Sequence, residues 1–366
     1  MEDEWQEKLV ADAMVYTAEE AGTSLRNFGA KWRVTSALQK TIRLGQTDRA
    51  HAMVHALHAA DANYTWRRLC TIVMEDVGIG DVNLTARFLW VATQPAWREA
   101  NGGELLYLYM LVQQMCESVK DRNANDLPGW GEMDPDFAEH RAAIQEMPLE
   151  ALTETLVDPE VAPVIRCLVF QHLGYFQHQQ FSKAQGFKAA SAALLEAGCD
   201  PLLVAIARMG RSKQYETQPY AFPFLWYLAA ASEHDVAPDQ LFDFPPIRGY
   251  PSSAFDKHCR EGRRVITRWY KTCTPLREAL TAAIPLDHED PEAHRHALEA
   301  LLFRVEGHLV DRRLVYAGSA EIDRECTRAH LEHNYVQAAF QAELLQLVKE
   351  HLPELHELRV AHCLAD

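Results

Sequence analysis

Apolar residues recur every three or four positions over most of this 366-residue chain, and this spacing is the strongest constraint on its fold. Between residues 62 and 77, for example, one helix face would bury Trp66, Leu69, Cys70 and Val73. Alternating apolar and polar runs rich in Val, Ile and Thr are nearly absent, and no two such runs are joined by a hairpin turn. The sequence therefore predicts an all-α protein, a multi-helix bundle or array.

Glycines and small polar residues give the predicted helix boundaries. A first helix covers 4–21, and later helices begin at Thr47 or Asp48, at Asp61 or Asn63, and at Asp81. A proline-rich connector at 242–253 precedes a helix over 253–272, which Ser252 or Ser253 would cap. Long helices at 290–312 and 319–349 end the predicted series.

One segment differs from the helices on either side of it. Residues 121–160 contain eleven carboxylates but only Arg122 and Arg141 as cations, together with prolines and glycines. Such a composition is typical of a loop followed by short acidic helices. The predicted organisation is therefore a helical domain over 1–120, an acidic connector over 121–160 and a helical domain over 161–366.

The helix predicted over 253–272 is strongly basic, although the formal net charge of the whole chain is -16. The cations are Lys257, Arg260, Arg263, Arg264, Arg268 and Lys271. Most of them are spaced by three or four residues, so they would lie on one helix face. A cationic stripe in an acidic protein predicts a local anionic ligand, with a nucleic-acid backbone as the first candidate. A solvated face whose charges pair with carboxylates from elsewhere in the fold is the alternative.

A second basic region lies at 31–70, which contains seven cationic residues but only two carboxylates. We assign Lys40, Arg43, Arg67 and Arg68 to a second contact surface or an oligomer interface. Aromatic residues lie close to both regions, and interleaved cations and aromatics suit single-stranded nucleic acid. Trp66 and Trp269 are expected to belong to the core instead, because of their spacing from other apolar residues.

Two strings, one within the second basic region and one that begins at its end, resemble a known family. They are SALQKTIRLGQTD at 36–48 and WRRLCTIVMEDVGIGD at 66–81. They are similar to the helical, collar-like C-terminal region of the replication-associated recombination AAA+ ATPases, relatives of the clamp loaders. The resemblance covers only residues 31–85 or so, and the ATPase core is absent. It implies a helical region used for oligomerisation and for work at replication forks.

Other chemistry finds little support in the residues. No phosphate-binding loop occurs, and Gly78 and Gly80 are expected to form a helix end and a turn. His234 and Asp235 form an HD pair, which would suit a metal-dependent phosphohydrolase if other ligands joined it. Asp256 and His258 could act as an acid–base pair, although Asp256 is expected to compensate a helix dipole instead.

The sequence thus predicts a non-catalytic protein of DNA replication, recombination or repair, which binds nucleic acid or a replication protein through focused basic patches. We expect no metal, no other cofactor and no membrane span, and we expect a cytoplasmic location with homo-oligomerisation as an option. One alternative is the HD-like phosphohydrolase. Another is an acidic inhibitor or mimic that binds a DNA-processing partner through 121–160.

Overall fold

The structure, a computed structural model, describes residues 2–15, 31–176, 178–211, 219–285 and 288–363. Helices account for 75% of the described residues. Within the described ranges, β structure is limited to two three-residue strands and two isolated bridges. The predicted all-α fold is therefore confirmed.

The first seven helices are α1 Glu2–Val15, α2 Lys31–Arg43, α3 Thr47–Ala60, α4 Ala62–Ile72, α5 Val82–Ala92, α6 Pro95–Ala100 and α7 Glu104–Glu117. A π-helical turn over Val73–Val77 and a 3-10 turn over Gly78–Asp81 connect α4 to α5. The predicted caps are confirmed at Asp61 and Asp81, whose carboxylates accept hydrogen bonds from the backbone N–H groups of Tyr64 and Leu84 at 2.9 Å. The part of the first predicted helix beyond Val15 lies outside the described residues.

The next seven helices are α8 Asn123–Met133, α9 Ala138–Glu146, α10 Leu149–Val157, α11 Pro163–Gly174, α12 Lys183–Glu196, α13 Pro201–Gly210 and α14 Phe222–Ala230. Helix α8 packs against α11. It also carries the fully buried Asp126, so the segment predicted as a connector contributes to the core. The division into domains stays a prediction.

The last five helices are α15 Arg260–Thr272, α16 Thr274–Ala283, α17 Ala293–Leu302, α18 Ser319–His333 and α19 Ala338–Cys363. A second π-helical turn, Phe303–Gly307, follows α17 directly. Helix α15 packs against α19, while α18 packs against α8. The single helix predicted over 319–349 is wrong, because the chain turns between α18 and α19, where Tyr335 has a positive φ of 71°.

Strand β1, Asp235–Ala237, pairs antiparallel with β2, Arg313–Val315. The backbone of Lys120 joins the other edge of β2 by accepting from Leu314 at 2.9 Å and donating to Arg312 at 2.8 Å. The next residue, Asp121, donates its N–H to the carbonyls of Asp76 and Val77 in the first π-helical turn. The segment after α7 therefore ties that turn to the strand pair.

The helix predicted over 253–272 begins later than expected. Its N-cap is Cys259, and residues 252–254 form a separate 3-10 turn. Phe255 then has a non-helical backbone, with φ -87° and ψ 68°. Ser252 and Ser253 were therefore the wrong caps, and Lys257 lies in the loop that precedes α15.

The buried face of α15 consists of Gly262, Val265, Ile266 and Trp269. Trp269 is fully buried and Trp66 is 5% exposed, which confirms that both belong to the core. All eight cysteines lie within the described residues, and none of them forms a disulfide bond. No helix in the described ranges is both long and apolar enough to cross a membrane.

Candidate anion-binding site

Helix α15 presents a row of cations to solvent, which we call the cationic face. Its members are the exposed residues Arg260, Arg263, Arg264, Arg268 and Lys271. Within the described ranges, no carboxylate lies in ion-pair distance of these five side chains. Arg260 and Lys271 are eleven residues apart, which corresponds to ~16 Å along a helix axis. The cationic face is therefore an extended surface whose charges are not paired with carboxylates of the described residues.

A central cavity of about 600 Å³ opens beside the loop that precedes α15. Its lining comes from α2, α4, both π-helical turns, α8, α18 and the loop that contains Lys257 and His258. The cations among the lining residues are Arg43, Arg68, Arg122, Lys257 and Arg304, and the carboxylates are Glu75 and Glu132. The lining therefore carries more positive than negative charge.

The two sequence strings at 36–48 and 66–81 meet at this cavity. The Gln39 amide donates to Glu75 at 3.1 Å and to Asp76 at 3.0 Å, while its oxygen accepts a hydrogen bond from Arg68. Arg43 donates from its Nε to Asp76 at 2.8 Å. One hydrogen-bonded network thus unites residues from α2, α4 and the first π-helical turn.

Asp76 lies at the centre of this network and is completely buried. It forms ion pairs with both Arg43 and Arg122. Burial alone would raise the pKa of Asp76, but the two guanidinium groups outweigh this effect and hold the pKa below its ordinary value. Asp76 is therefore ionised at neutral pH and fixes two arginines against the cavity wall.

A second buried network anchors another part of the cavity lining. Arg304, in the second π-helical turn, donates to Asp126 of α8 at 3.1 Å. His308 contacts the other carboxylate oxygen of Asp126 at 2.9 Å. Burial opposes ionisation of Asp126, yet His308 and Arg304 lower its pKa well below the ordinary value. The carboxylate thus stays charged and positions Arg304 at the cavity.

Two cations of the lining have no carboxylate partner within the described residues. Arg68 bonds only to the neutral Gln39, and the half-buried Lys257 has no side-chain partner. These two cations are therefore available to a ligand.

The charges of the cavity also act on two nearby imidazoles. Burial, followed by the charges of Arg304 and Lys257, lowers the pKa of His330 to about 3. Burial also lowers the pKa of His258, and Lys40, Lys257 and Arg68 add to this effect against the opposing Asp256. Burial is the main cause of both shifts, and cations of the cavity add to it.

The two basic regions of the sequence are brought together, but their members differ in availability. Lys40 is buried in an ion pair with Asp256 and donates to Ser36 at 2.8 Å, so it joins α2 to the loop before α15. Arg67 is exposed beside the ring of Tyr64 and lies outside the cavity lining. Asp256 precedes the N-cap of α15 by three residues, so its expected role in the first turn of that helix is replaced by the pair with Lys40.

Gly262 allows this loop to lie close to α15. A Cβ at this position would overlap the backbone of Asp256, because the loop passes directly over the first turn of the helix. The close approach places Lys257 and His258, the next two residues, at the cavity. Glycine at 262 is thus a requirement of the site geometry.

Arg122 and Arg304 were not predicted as site residues. Arg122 is one of two cations in an acidic segment, and Arg304 lies in the middle of what was predicted as one long helix. An arginine isolated among carboxylates was the available signal for Arg122, since such a residue often forms a buried ion pair.

The HD pair lies away from these networks. His234 and Asp235 are exposed, and Asp235 belongs to β1 rather than to a loop. Within the described ranges, two groups of side chains have spacing suited to a metal ion, and neither group includes the pair. One is Asp126, His308 and Asp323, in which Arg304 already forms ion pairs with both carboxylates. The other is Cys273, His351 and Glu354.

Comparison with protein-family models, with curated proteins and with solved structures finds no match to this chain. The resemblance to the collar-like region of the AAA+ ATPases therefore stays a prediction.

Proposed function

We propose that this protein binds nucleic acid, within DNA replication, recombination or repair, through the cationic face of α15. The observation that carries the proposal is the exposure of five cations on one helix face without ion pairs among the described residues. A chain of net charge -16 repels polyanions in general, so binding would be confined to this surface.

The geometry suits contacts with a phosphate backbone. Arg260, Arg264 and Arg268 follow each other at four-residue intervals, about 6 Å along the helix axis. Their guanidinium groups can donate two parallel hydrogen bonds to a phosphate. Because these contacts involve no base edges, we expect binding with little sequence preference.

Neither alternative function gains support from a specific observation. The HD pair belongs to neither of the two groups of described side chains whose spacing suits a metal ion. The acidic segment 121–160 uses Asp121, Asp126 and Asp134 inside the protein, where each is at most 1% exposed. These three carboxylates cannot belong to a surface that imitates nucleic acid.

The test is replacement of Arg260, Arg264 and Arg268 together by Ala, with fluorescence anisotropy of labelled single-stranded and duplex oligonucleotides. Each lost phosphate contact should reduce the slope of log affinity against log salt by ~0.7 for single strands or ~0.9 for duplexes. The triple variant should therefore reduce the slope by roughly two to three.

A control variant removes the same charge from three other exposed sites, Lys188, Arg208 and Lys349, which lie on different helices. It should bind like the wild type if the arrangement on α15 matters and should lose affinity equally if only net charge matters. Absence of wild-type binding to any oligonucleotide at ~50 mM salt, where phosphate contacts are strong, would refute the proposal and favour a protein partner.

A further inference from the structure

We propose that the central cavity binds one nucleotide unit, with its phosphate at Arg68 and Lys257 and its base beside Phe176. The unit is either a free nucleotide or the phosphorylated end of a strand. This inference goes beyond the proposed nucleic-acid interface, because the cavity is lined by other residues and can bind its ligand independently of the cationic face.

The charges of the cavity are preorganised for a phosphate. Arg43 and Arg122 are held by Asp76, and Arg304 is held by Asp126, so three guanidinium groups are fixed in position. Arg68 and Lys257 have no carboxylate partner among the described residues, so these two cations are available to a ligand. A phosphate dianion can bind both, and hydrogen bonds to charged groups are the strong ones.

The two carboxylates of the lining are already engaged in hydrogen bonds. Glu75 accepts from Gln39 at 3.1 Å, and Glu132 accepts from Tyr220 at 3.1 Å and from Gln171. Carboxylates satisfied by donors of the protein compete less for the cations that face the ligand. They also exclude a second anion, which favours a monophosphate over a polyphosphate.

The aromatic residues and the volume favour a nucleotide over inorganic phosphate. Phe176 is 36% exposed although it lines the cavity, and Phe303 is half-buried there. An aromatic ring that remains accessible can stack on a base, an interaction worth ~1–3 kcal/mol per base. A cavity of about 600 Å³ also lies in the range of small-molecule sites.

Both π-helical turns contribute to this one cavity. Glu75 comes from the first turn, while Phe303 and Arg304 come from the second. A π-helical turn is a rare local distortion and is frequently found at functional sites. The two turns are more than 220 residues apart in the chain, yet both line this cavity. Such an arrangement is expected if a binding site is maintained although the turns reduce local stability.

Calorimetric titration tests the assignment with adenosine 5′-monophosphate, adenosine and inorganic phosphate as probes. We expect the monophosphate to bind at least tenfold more tightly than either part alone, because both the phosphate and the base make contacts. Equal affinity for inorganic phosphate would overturn the nucleotide assignment. Absence of heat and of any thermal shift at about 1 mM monophosphate would overturn the site itself.

Lys257→Ala is the decisive variant, because its side chain has no partner among the described residues and its removal leaves the fold intact. It should weaken monophosphate binding roughly tenfold or more, the fold-change expected for one charged hydrogen bond. Arg68→Ala should act similarly, and Arg68→Lys should restore part of the affinity. Unchanged affinity in both alanine variants would contradict the placement of the phosphate.

Two further comparisons separate the sources of the ligand and the two sites. A strand end as ligand predicts that a 5′-phosphorylated oligonucleotide binds more tightly than its 5′-hydroxyl form, and that Lys257→Ala removes the difference. A free nucleotide predicts no such difference. The α15 triple variant should still bind the monophosphate, so failure of the nucleic-acid interface and failure of the cavity give different results.

Discussion

Replacing Asp121 by Asn should change the pH dependence of stability, because this carboxyl group is buried without a strong cationic partner. The side chain is 1% exposed and accepts a hydrogen bond from the N–H of Asn123 at 3.2 Å. Burial raises the pKa of Asp121 from 3.8 to about 7, and this hydrogen bond and the more distant Arg313 and Arg122 offset only part of the increase. Asp121 is thus protonated in the folded protein over a range in which the unfolded chain has released the proton.

The sign follows from proton linkage. Between the unfolded pKa of 3.8 and the folded pKa of about 7, the folded state binds more protons than the unfolded state. The free energy of unfolding therefore falls as the pH rises through this range and levels off above it. The full difference between the two pKa values corresponds to a change of roughly 4 kcal/mol in the free energy of unfolding. Roughly 2–3 kcal/mol of this change falls between about pH 5 and pH 8.

Asn has nearly the same shape as Asp and does not titrate, so Asp121→Asn removes this effect. Urea unfolding of both proteins at a series of pH values gives the difference in their free energies of unfolding. This difference should shift in favour of the variant by roughly 2–3 kcal/mol from about pH 5 to pH 8. Effects of all other titrating groups cancel, because both proteins contain them.

The exposed Asp136 provides a matched control. Asp136→Asn removes one carboxylate from the same part of the chain at an exposed position, so any pH-dependent difference that Asp121→Asn shows beyond this control is due to burial of the carboxyl group. A difference between Asp121→Asn and the wild type that stays constant with pH would refute the reasoning, since it would show that Asp121 titrates alike in the folded and unfolded states.

Two further changes test the packing around the cavity. Asp76→Ala leaves Arg43 and Arg122 buried without their carboxylate and should lower the free energy of unfolding in urea by about 3–5 kcal/mol. As a control, Asp323→Ala removes a carboxylate that is 45% exposed and should lower it by less than about 1 kcal/mol. Gly80→Ala places a Cβ against the backbone of Val119 and should cost about 1–3 kcal/mol. An unchanged melting temperature for Gly80→Ala would show that the segment after α7 lies farther from the turn.

Features encoded within a few neighbouring residues could be predicted from the sequence. The caps at Asp61 and Asp81 depend on one side chain and one N–H three residues later, and helical spacing placed Trp269 in the core. The pair of three-residue strands could not be predicted, because β1 and β2 lie about 75 residues apart in the chain and are too short to show alternation.

The start of α15 shows how contacts from distant residues override a local signal. Ser252 follows Pro251 and looked like a helix cap, but Asp256 is held in an ion pair by Lys40, more than 200 residues away in the chain. This pair fixes a turn ahead of the helix, and the cap is Cys259. The residues between 250 and 260 alone do not indicate the ion pair with Lys40, so the start of α15 could not be predicted from them.

The same contact explains how the cationic face keeps its charge. Asp256 and Glu261 are the two carboxylates among residues 255–273, and either could have paired with a neighbouring arginine of α15. Helix α2 supplies Lys40 to Asp256 and Arg33 to Glu261 instead. The second basic region thus binds the local counter-charges of the first, and the arginines of α15 remain unpaired within the described structure. Lys40 would then support anion binding without touching the anion, by occupying the carboxylate that competes with it.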